Sequence, residues 1–173
     1  MIKGEKVILR GLLKKDKELI YEWANHKEMR DRTGTVYPVS ECEHENWFEK
    51  MCCSNDPKIF AVEYKDKCIG TIGLKGMDRV NSVVELFIKI GDDTVKNMGC
   101  GTDAVKTLVN YSFGHLNFHK VYLTVYASNE PAIRCYEKAG FIKEGCLKQH
   151  HFNNGKYEDV IIMGIIRENG GTQ

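Results

Sequence analysis

Long apolar runs and an excess of charge of either sign are both missing from this 173-residue chain. No stretch approaches the ~20 consecutive apolar residues that a membrane-spanning helix needs. The 25 basic and 24 acidic residues leave a formal net charge of +1, and no basic block favours binding to nucleic acid. Residues 1–6 carry charges where a signal peptide would need its apolar segment. We therefore expect a cytoplasmic protein whose partners include neither nucleic acid nor a membrane.

Metal-site and disulfide patterns are also missing. The seven cysteines are odd in number and contain no C-x-x-C pair, so we expect reduced thiols. His115 and His119 have the i, i+4 spacing that metals favour, but they lack a third ligand at motif spacing. No metal is expected. Because the chain also has no internal repeat and no linker rich in Pro, Gly or Ser, we expect one domain spanning residues 1–173.

The hydrophobic pattern predicts a mixed α/β fold with a largely antiparallel sheet, one strand–helix–strand unit in the middle and a closing hairpin. Ser40 and Glu43 form a capping-box pattern that opens a helix, and the tryptophans Trp23 and Trp47 are expected in the core. Residues 26–39 are expected to be irregular. Strands are predicted at 7–10, 59–64, 68–74, 83–90 and 121–126 and on both sides of 153–155; helices are predicted at 16–25, from 40 to 51, from 101 to 116, and at 130–139.

A glycine turn, Gly99-Cys100-Gly101, lies between a predicted strand and a predicted helix. Glycines there let the backbone approach a ligand, and the free N–H groups at the helix start bind phosphate. A dinucleotide site is the rival interpretation, since residues 99–104 match G-x-G-x-x-A. However, Gly99 lies nine residues beyond the predicted strand end at Ile90, and residues 121–124 contain no carboxylate for a ribose. The pattern favours the diphosphate of coenzyme A.

Two motifs together resemble the acetyl-CoA core of the GNAT superfamily. Lys96-x-x-Gly99-x-Gly101 resembles the (Gln/Arg)-x-x-Gly-x-(Gly/Ala) signature, with lysine at the first position. The segment from Asn129 to Phe141 resembles the more specific N-x-x-A-x-x-x-Y-x-x-x-G-F block. Features near both ends of the chain resemble the RimJ/RimL-type branch, so the resemblance covers essentially the whole chain. It implies helices on both faces of the sheet and two splayed central strands.

The resemblance also implies a site and a reaction: direct attack of a primary amine on acetyl-CoA, without an acyl-enzyme and without a metal. Tyr136 resembles the tyrosine that protonates the departing sulfur, and Asn129 resembles the asparagine that binds pantetheine. Glu85 is the candidate general base, acting through water. The residues expected to bind the cofactor are Phe87, Ile88, Lys89, Ile90, Lys96, Asn97, Met98, Gly99, Cys100, Gly101, Thr102, Asn129, Ala132 and Tyr136.

The acceptor amine is left open by the sequence. A protein N-terminal α-amine or an amino-sugar is favoured over a polyamine such as spermidine, and a CoA-binding regulatory module without catalysis is a different class of alternative. Glu41, Glu43, Glu45 and Glu49 either form an acidic lip for a cationic acceptor or, the favoured interpretation, a capped and solvated helix face.

Three residue types keep a purely structural interpretation beside the functional one. Tyr136 could be a core aromatic, and Glu85 could be an outward-facing strand residue. His150 and His151, just before the hairpin, are either acceptor contacts or plain strand surface, and the sequence does not decide between them. The assembly is expected to be a monomer or a homodimer.

Overall fold

An eight-stranded sheet organises the chain in the computed structural model, which describes residues 1–168. The strand order is β1-β2-β3-β4-β5-β6-β8-β7, and every neighbouring pair is antiparallel except β5 and β6. The strands are β1 (Ile2–Lys3), β2 (Ile8–Arg10), β3 (Lys58–Tyr64), β4 (Lys67–Asp78), β5 (Val83–Ile90), β6 (Lys120–Tyr126), β7 (Ile142–Asn153) and β8 (Lys156–Ile166). The helices are α1 (Lys17–Asn25), α2 (Lys27–Thr33), α3 (Glu41–Cys53), α4 (Cys100–Gly114) and α5 (Glu130–Lys138). The mixed, largely antiparallel fold predicted from the sequence is confirmed.

The two central strands separate after a short parallel pairing. β5 and β6 are in register only from Val83↔Lys120 to Glu85↔Tyr122. Beyond that point β5 stays paired with β4 as far as Ile90, and β6 stays paired with β8 as far as Tyr126. The two strands therefore diverge and leave a wedge between residues 86–90 and 123–126, as the resemblance implied.

Helices cover both faces of the sheet. Alternate residues of β6, Val121, Leu123 and Val125, belong to the large core cluster that also contains the buried residues of α4 and α5. We call this side the α4 face. Tyr122, Thr124 and Tyr126 alternate with them and so point to the opposite side, which α1 to α3 cover. There Phe48 and Met51 of α3 are buried outside the large cluster, and α3 packs on β3.

Amphipathic spacing explains α4, the longest helix. Ala104, Val105, Leu108 and Val109 share one side of the helix and are buried against the sheet. The predicted helix interval extended to residue 116, but α4 ends at Gly114, and Leu116 lies in the following turn, half-buried. No helix within residues 1–168 has the length and hydropathy that a membrane span requires.

The predicted irregular segment 26–39 contains a helix, α2, so this part of the prediction was wrong. α2 buries none of its residues and therefore has no apolar stripe that a hydrophobic pattern could reveal. Ion pairs at i, i+4 support it, between Lys27 and Asp31 and between Glu28 and Arg32. Gly34 ends the helix in the left-handed conformation, with φ of 70°.

The core assignment of the two tryptophans also needs correction. Trp47 is 36% exposed on α3. Trp23 is half-buried, and its indole lies so close to Gly91 that a side-chain carbon on this glycine would clash with it. The closing hairpin is confirmed: Asn154 and Gly155 form the turn, both with positive φ, between the paired residues Asn153 and Lys156.

Candidate active site

The glycine turn opens α4 at the end of the wedge. Gly99 is the N-cap residue, with φ of 80° in the left-handed region, and its carbonyl accepts the first helical hydrogen bond from the Asp103 N–H at 3.0 Å. The N–H groups of the intervening residues 100–102 precede this bond and point out of the helix start, where the dipole favours an anion. The sequence prediction of a phosphate-binding turn thus has the required backbone geometry.

Three predicted cofactor segments meet beside Gly101. A side-chain carbon placed on Gly101 would lie 3.6 Å from the Cys135 Sγ of α5 and 3.8 Å from the Ile90 Cγ1 of β5. The Thr102 hydroxyl donates a hydrogen bond to the same Cys135 sulfur at 3.4 Å. The turn, the end of β5 and the helix carrying Tyr136 therefore form one continuous wall along the wedge.

The N-terminal segment brings a further cation to the turn, which sequence reasoning missed. The Lys6 Nζ donates a hydrogen bond to the Met98 carbonyl at 2.7 Å. The Asp103 carboxylate holds the segment there, since it accepts the backbone N–H groups of Glu5, Lys6 and Val7 at 3.1, 2.7 and 2.9 Å. The predicted cation of the signature, Lys96, instead pairs with Asp93 at 2.8 Å and lies 3.9 Å from Glu28.

Tyr136 lies on the α4 face of the sheet, among the residues of the large core cluster. It is 7% exposed and packs near Phe141, with ring centroids 6.0 Å apart. Burial raises the pKa of its phenol above the ordinary value, so the hydroxyl keeps its proton at neutral pH. Asn129 caps the same helix, and its side-chain oxygen accepts the Ala132 N–H at 3.3 Å.

Glu85 lies at the closed end of the wedge. It is the last β5 residue paired with β6, opposite Tyr122. By alternation its side chain points to the face opposite Tyr136, and its carboxylate pairs with the Lys75 ammonium of β4 at 3.1 Å. Phe87 and Lys89 follow on this same face, while Leu86, Ile88 and Ile90 point towards α4.

A helix crosses the open end of the wedge. A cavity of about 590 Å³ lies between α1, α2 and the end of β5, and Ile90 and Gly91 form part of its wall. Two carboxylates of the wall, Glu22 and Asp92, take part in no ion pair with any other residue of 1–168. At its other end α2 is followed by Gly34, which contacts Tyr126 at the end of β6.

The acidic residues of α3 do not face this opening as a group of free charges. Glu43 closes the capping box with Ser40, its carboxylate accepting the Ser40 N–H at 2.9 Å. Glu45 pairs with Lys17 of α1 at 3.0 Å. These contacts support the interpretation of a capped, solvated helix face.

Neither histidine pair forms a metal site in the part of the chain that the structure covers, residues 1–168, where no group of three or more His, Cys, Asp or Glu side chains could hold a metal. His115 is the C-cap residue that follows α4, and its ring stacks on Tyr111. His150 is exposed, whereas His151 stacks on Tyr126 with ring centroids 3.9 Å apart.

Comparisons with known proteins identify the family. Residues 6–142 match the family model described as the acetyltransferase (GNAT) domain. The chain is 28% identical to a prophage-derived uncharacterized N-acetyltransferase of Bacillus subtilis over 95% of its length and 92% of the relative. It is 30% identical to the spermidine N(1)-acetyltransferase of Vibrio cholerae, over 95% of both chains.

Solved structures give the same result. The spermidine N-acetyltransferase of Vibrio cholerae, in complex with CoA and spermine, superimposes with a TM-score of 0.85 at 29% identity, covering 94% of this chain and 96% of that one. A GNAT-family acetyltransferase of Bacillus anthracis superimposes with a TM-score of 0.83 at 21% identity, covering 95% and 97% of the two chains, which supports the fold alone.

Proposed function

The chain belongs to the GNAT acetyltransferase family and is an acetyl-CoA-dependent N-acetyltransferase; from this premise, we propose that its acceptor is a small polyamine. We also propose that the catalytic domain spans residues 1–173 and that the enzyme works in the cytoplasm. The relatives carry the acceptor assignment, since a spermidine N(1)-acetyltransferase matches nearly the full length of the chain. On sequence alone, peptide and sugar amines ranked above spermidine, and this order is now reversed.

The cavity beside α2 supports a cationic acceptor. Its wall, beside the end of β5, carries five carboxylates against three cations: Asp16, Glu22, Glu28, Asp92 and Asp93 against Lys15, Arg32 and Lys67. A polyamine carries several positive charges at neutral pH, so it is attracted by several carboxylates at once. An amino-sugar or a peptide α-amine has one such charge and gains less.

The wedge and the turn fit coenzyme A. The turn offers backbone N–H groups at a helix start for the diphosphate, and Lys6 adds an ammonium there. The edge of β5 released by β6 offers backbone groups to the amide-bearing pantetheine arm. The proposed contacts are Phe87, Ile88, Lys89, Ile90, Lys96, Asn97, Met98, Gly99, Cys100, Gly101, Thr102, Asn129, Ala132 and Tyr136.

Two side chains carry the proposed proton transfers. Acetyl-CoA supplies the thioester; the acceptor nitrogen forms a bond to its carbonyl carbon, and the carbon–sulfur bond breaks. Tyr136 donates its phenolic proton to the leaving sulfur from the α4 face. Glu85, at the closed end of the wedge on the opposite face, receives a proton through water, as proposed from the sequence.

A panel of amines tests the function directly. Purified protein is mixed with acetyl-CoA and spermidine, spermine, a glycyl peptide, glucosamine or an aminoglycoside, and free CoA thiol is measured. We expect spermidine or spermine to give the highest kcat/KM. Higher kcat/KM with a peptide or sugar would overturn the polyamine proposal. If none of the amines in the panel causes release of free thiol, a regulatory CoA-binding module would be favoured instead.

A charge variant tests the acceptor cavity. Glu22→Gln removes one of the unpaired carboxylates and should raise KM for spermidine several-fold while the affinity for CoA stays unchanged. Glu49→Gln, on the exposed side of α3, is the matched control and should leave both unchanged. Equal KM values in the Glu22 variant and the wild type would place the polyamine elsewhere.

A further inference from the structure

A bulge in β7 re-aims the strand shortly before the closing hairpin. The pairing of β7 with β8 shifts between Leu147↔Val160 and His151↔Glu158, and Gln149 has a positive φ of 50°. The Asp159 carboxylate holds the bulge, because it accepts the Gln149 N–H at 2.9 Å and the Lys148 ammonium at 2.8 Å. Bulges of this kind commonly redirect a side chain next to an active site.

The redirected side chain is His151. Its imidazole reaches across β8 and stacks on the Tyr126 ring of β6, with centroids 3.9 Å apart and planes 9° from parallel. Tyr126 belongs to the part of β6 from which β5 has already diverged. The bulge thus brings a histidine of the last hairpin to the rim of the wedge.

The His151 Nε2 is buried and has no hydrogen-bond partner in the region that the structure describes. A polar atom in that state costs free energy, which makes it an unusual feature of a folded protein. Gly34 covers the same place: a side-chain carbon on Gly34 would clash with the Tyr126 hydroxyl and would lie 3.3 Å from the His151 Cε1. Only a bare backbone fits between α2 and this ring pair.

We propose that His151 is a catalytic residue that receives the acceptor amine, an inference that rests on the proposed acetyltransferase function. Its Nε2 accepts a hydrogen bond from the acceptor's ammonium and then takes its proton. The N–H bond of the ammonium breaks, an Nε2–H bond forms, and the freed lone pair attacks the thioester carbonyl carbon. The proton later leaves the imidazole for water. After the attack, the second N–H proton of the nitrogen passes through water to Glu85, and Tyr136 gives its proton to the sulfur and regains one from water. For this step the resting imidazole carries its hydrogen on Nδ1.

The proposed proton-transfer groups lie on opposite faces of the sheet. Tyr136 is buried on the α4 face, whereas Tyr126 and His151 lie on the opposite face under the end of α2. The amine and the leaving thiolate occupy different positions around the carbonyl carbon, so each needs its own proton-transfer group within hydrogen-bond reach. Glu85 is less suited to direct contact, since its carboxylate is paired with Lys75 at the closed end of the wedge.

Charged and titratable groups from three elements surround this histidine, and they bear on its pH dependence. Tyr126 stacks on it, and Glu158 of β8 is its cross-strand partner. From α2, the backbone carbonyl of Asp31 accepts a hydrogen bond from the side-chain amide of Asn153, two residues after His151. Histidine side chains change charge between about pH 5 and 8. A base at this position makes the rate depend on pH, so the pH profile of kcat/KM for spermidine should change when the ring nitrogen is removed.

The decisive variant is His151→Phe, which keeps the stacked ring and removes Nε2. We expect kcat to fall at least ~10²-fold at pH 7, with an unchanged thermal shift on adding CoA. The remaining activity should rise only as the acceptor itself loses its proton towards pH ~10. His151→Phe also removes a hydrogen-bond acceptor for the ammonium, so KM for spermidine should rise. His151→Gln restores a hydrogen-bonding group but no base, so it should return KM towards the wild-type value while kcat stays low.

His150→Phe is the matched control, because it alters the exposed neighbour on the same strand and should match the wild type. Wild-type kcat and a wild-type pH profile in His151→Phe would overturn the catalytic role of His151 but leave the acetyltransferase function standing. An equal loss in His150→Phe would also overturn it, since the effect would then belong to the strand. Wild-type protein that releases no thiol with any amine would refute the acetyltransferase function, and this inference with it.

Discussion

A single buried phenol, that of Tyr136, illustrates how the setting of one residue decides its chemistry. Burial favours the neutral form and raises the pKa of this phenol. The phenol is therefore protonated at neutral pH, as a proton donor to the sulfur must be. Because burial keeps the phenol protonated at neutral pH, it cannot act as the base, so a second group has to take the proton of the amine.

The Tyr136→Phe variant separates a proton donor from a core aromatic. The ring and its packing against Phe141 remain, so the free energy of unfolding and the affinity for CoA should change little. Loss of a general acid should lower kcat by ~10²–10⁴-fold with KM nearly unchanged. Steady-state kinetics with the best acceptor, beside a melting curve for each protein, provides the check. Near-full turnover would make Tyr136 a packing residue and assign the proton to water.

The lysines near the turn show where residue-level prediction stops. The signature pointed to Lys96, but neighbouring acids occupy its ammonium, Asp93 at 2.8 Å above all. Lys6 lies at the turn because Asp103 ties down the N-terminal segment through three backbone N–H groups. A contact across more than ninety positions leaves no periodic trace in the sequence.

At the scale of elements, the start of α4 requires glycine for two different reasons. Gly99 adopts a left-handed φ of 80°, whereas Gly101 has ordinary helical geometry and room for a methyl group, with its nearest neighbours at 3.6 and 3.8 Å. A glycine that the fold itself does not need inside a helix is destabilising by about 0.5–1 kcal/mol relative to alanine. Its presence at position 101 therefore points to close approach by a ligand.

Gly101→Ala tests that explanation. The variant should fold with equal or higher thermal stability, yet bind CoA about tenfold more weakly or worse, because the methyl group occupies the approach to the backbone N–H groups. Gly101→Val should weaken binding further. Gly114→Ala, at the far end of α4 with open space around it, is the control and should bind CoA normally. Titration calorimetry measures the affinities, and unchanged binding in both Gly101 variants would place the diphosphate elsewhere.

The β7 bulge makes a second element-scale prediction, through pH. The Asp159 carboxylate contacts the Lys148 ammonium and the Gln149 N–H, and these contacts lower the pKa of Asp159 to about 2. Since the folded pKa lies below the ordinary value near ~3.9, this carboxylate stabilises the fold above about pH 4. The contribution is lost as the pH falls from about 4 towards 2.

Urea unfolding of the wild type and of Asp159→Asn measures this loss. The wild type should be more stable at pH 6, and the difference in free energy of unfolding should shrink steadily below pH 4. Lys148→Met should narrow the same difference, because it removes the ammonium that lowers the pKa. A gap that stays constant down to pH 2 would show that Asp159 acts only through the geometry of its hydrogen bonds.

Elements with strong local signals were predictable, and those built by tertiary contacts were not. Alternation and caps located β5, α4 and α5, and the Asn154-Gly155 turn fixed the closing hairpin. The surface helix α2 has no apolar stripe to reveal it. The bulge depends on Asp159 of the partner strand, so sequence reasoning could not choose between contact and surface for His151.

At the scale of the whole molecule, the wedge is a property of the sheet and of no single strand. β5 pairs with β4 along its full length, and β6 pairs with β8 along its full length, so each strand follows its own antiparallel neighbour away from the other. Periodicity cannot show such a divergence, because the alternation of side chains continues unbroken through it. The motifs indicated the wedge only through their resemblance to a family.

Cofactor choice is the prediction that tests this architecture as a unit. A ligand that spans the wedge, the turn and α5 binds the folded state alone, so it should stabilise the fold by ~2.7 kcal/mol at a hundredfold excess over Kd. For a domain of this size that corresponds to a rise in melting temperature of roughly 5–10 °C. Acetyl-CoA and CoA should both give this shift in a thermal melt. NAD and ATP should not, because neither has a pantetheine arm to pair with the free edge of β5. A shift with NAD and none with acetyl-CoA would mean that the glycine turn serves a dinucleotide, and the wedge would lose its proposed role.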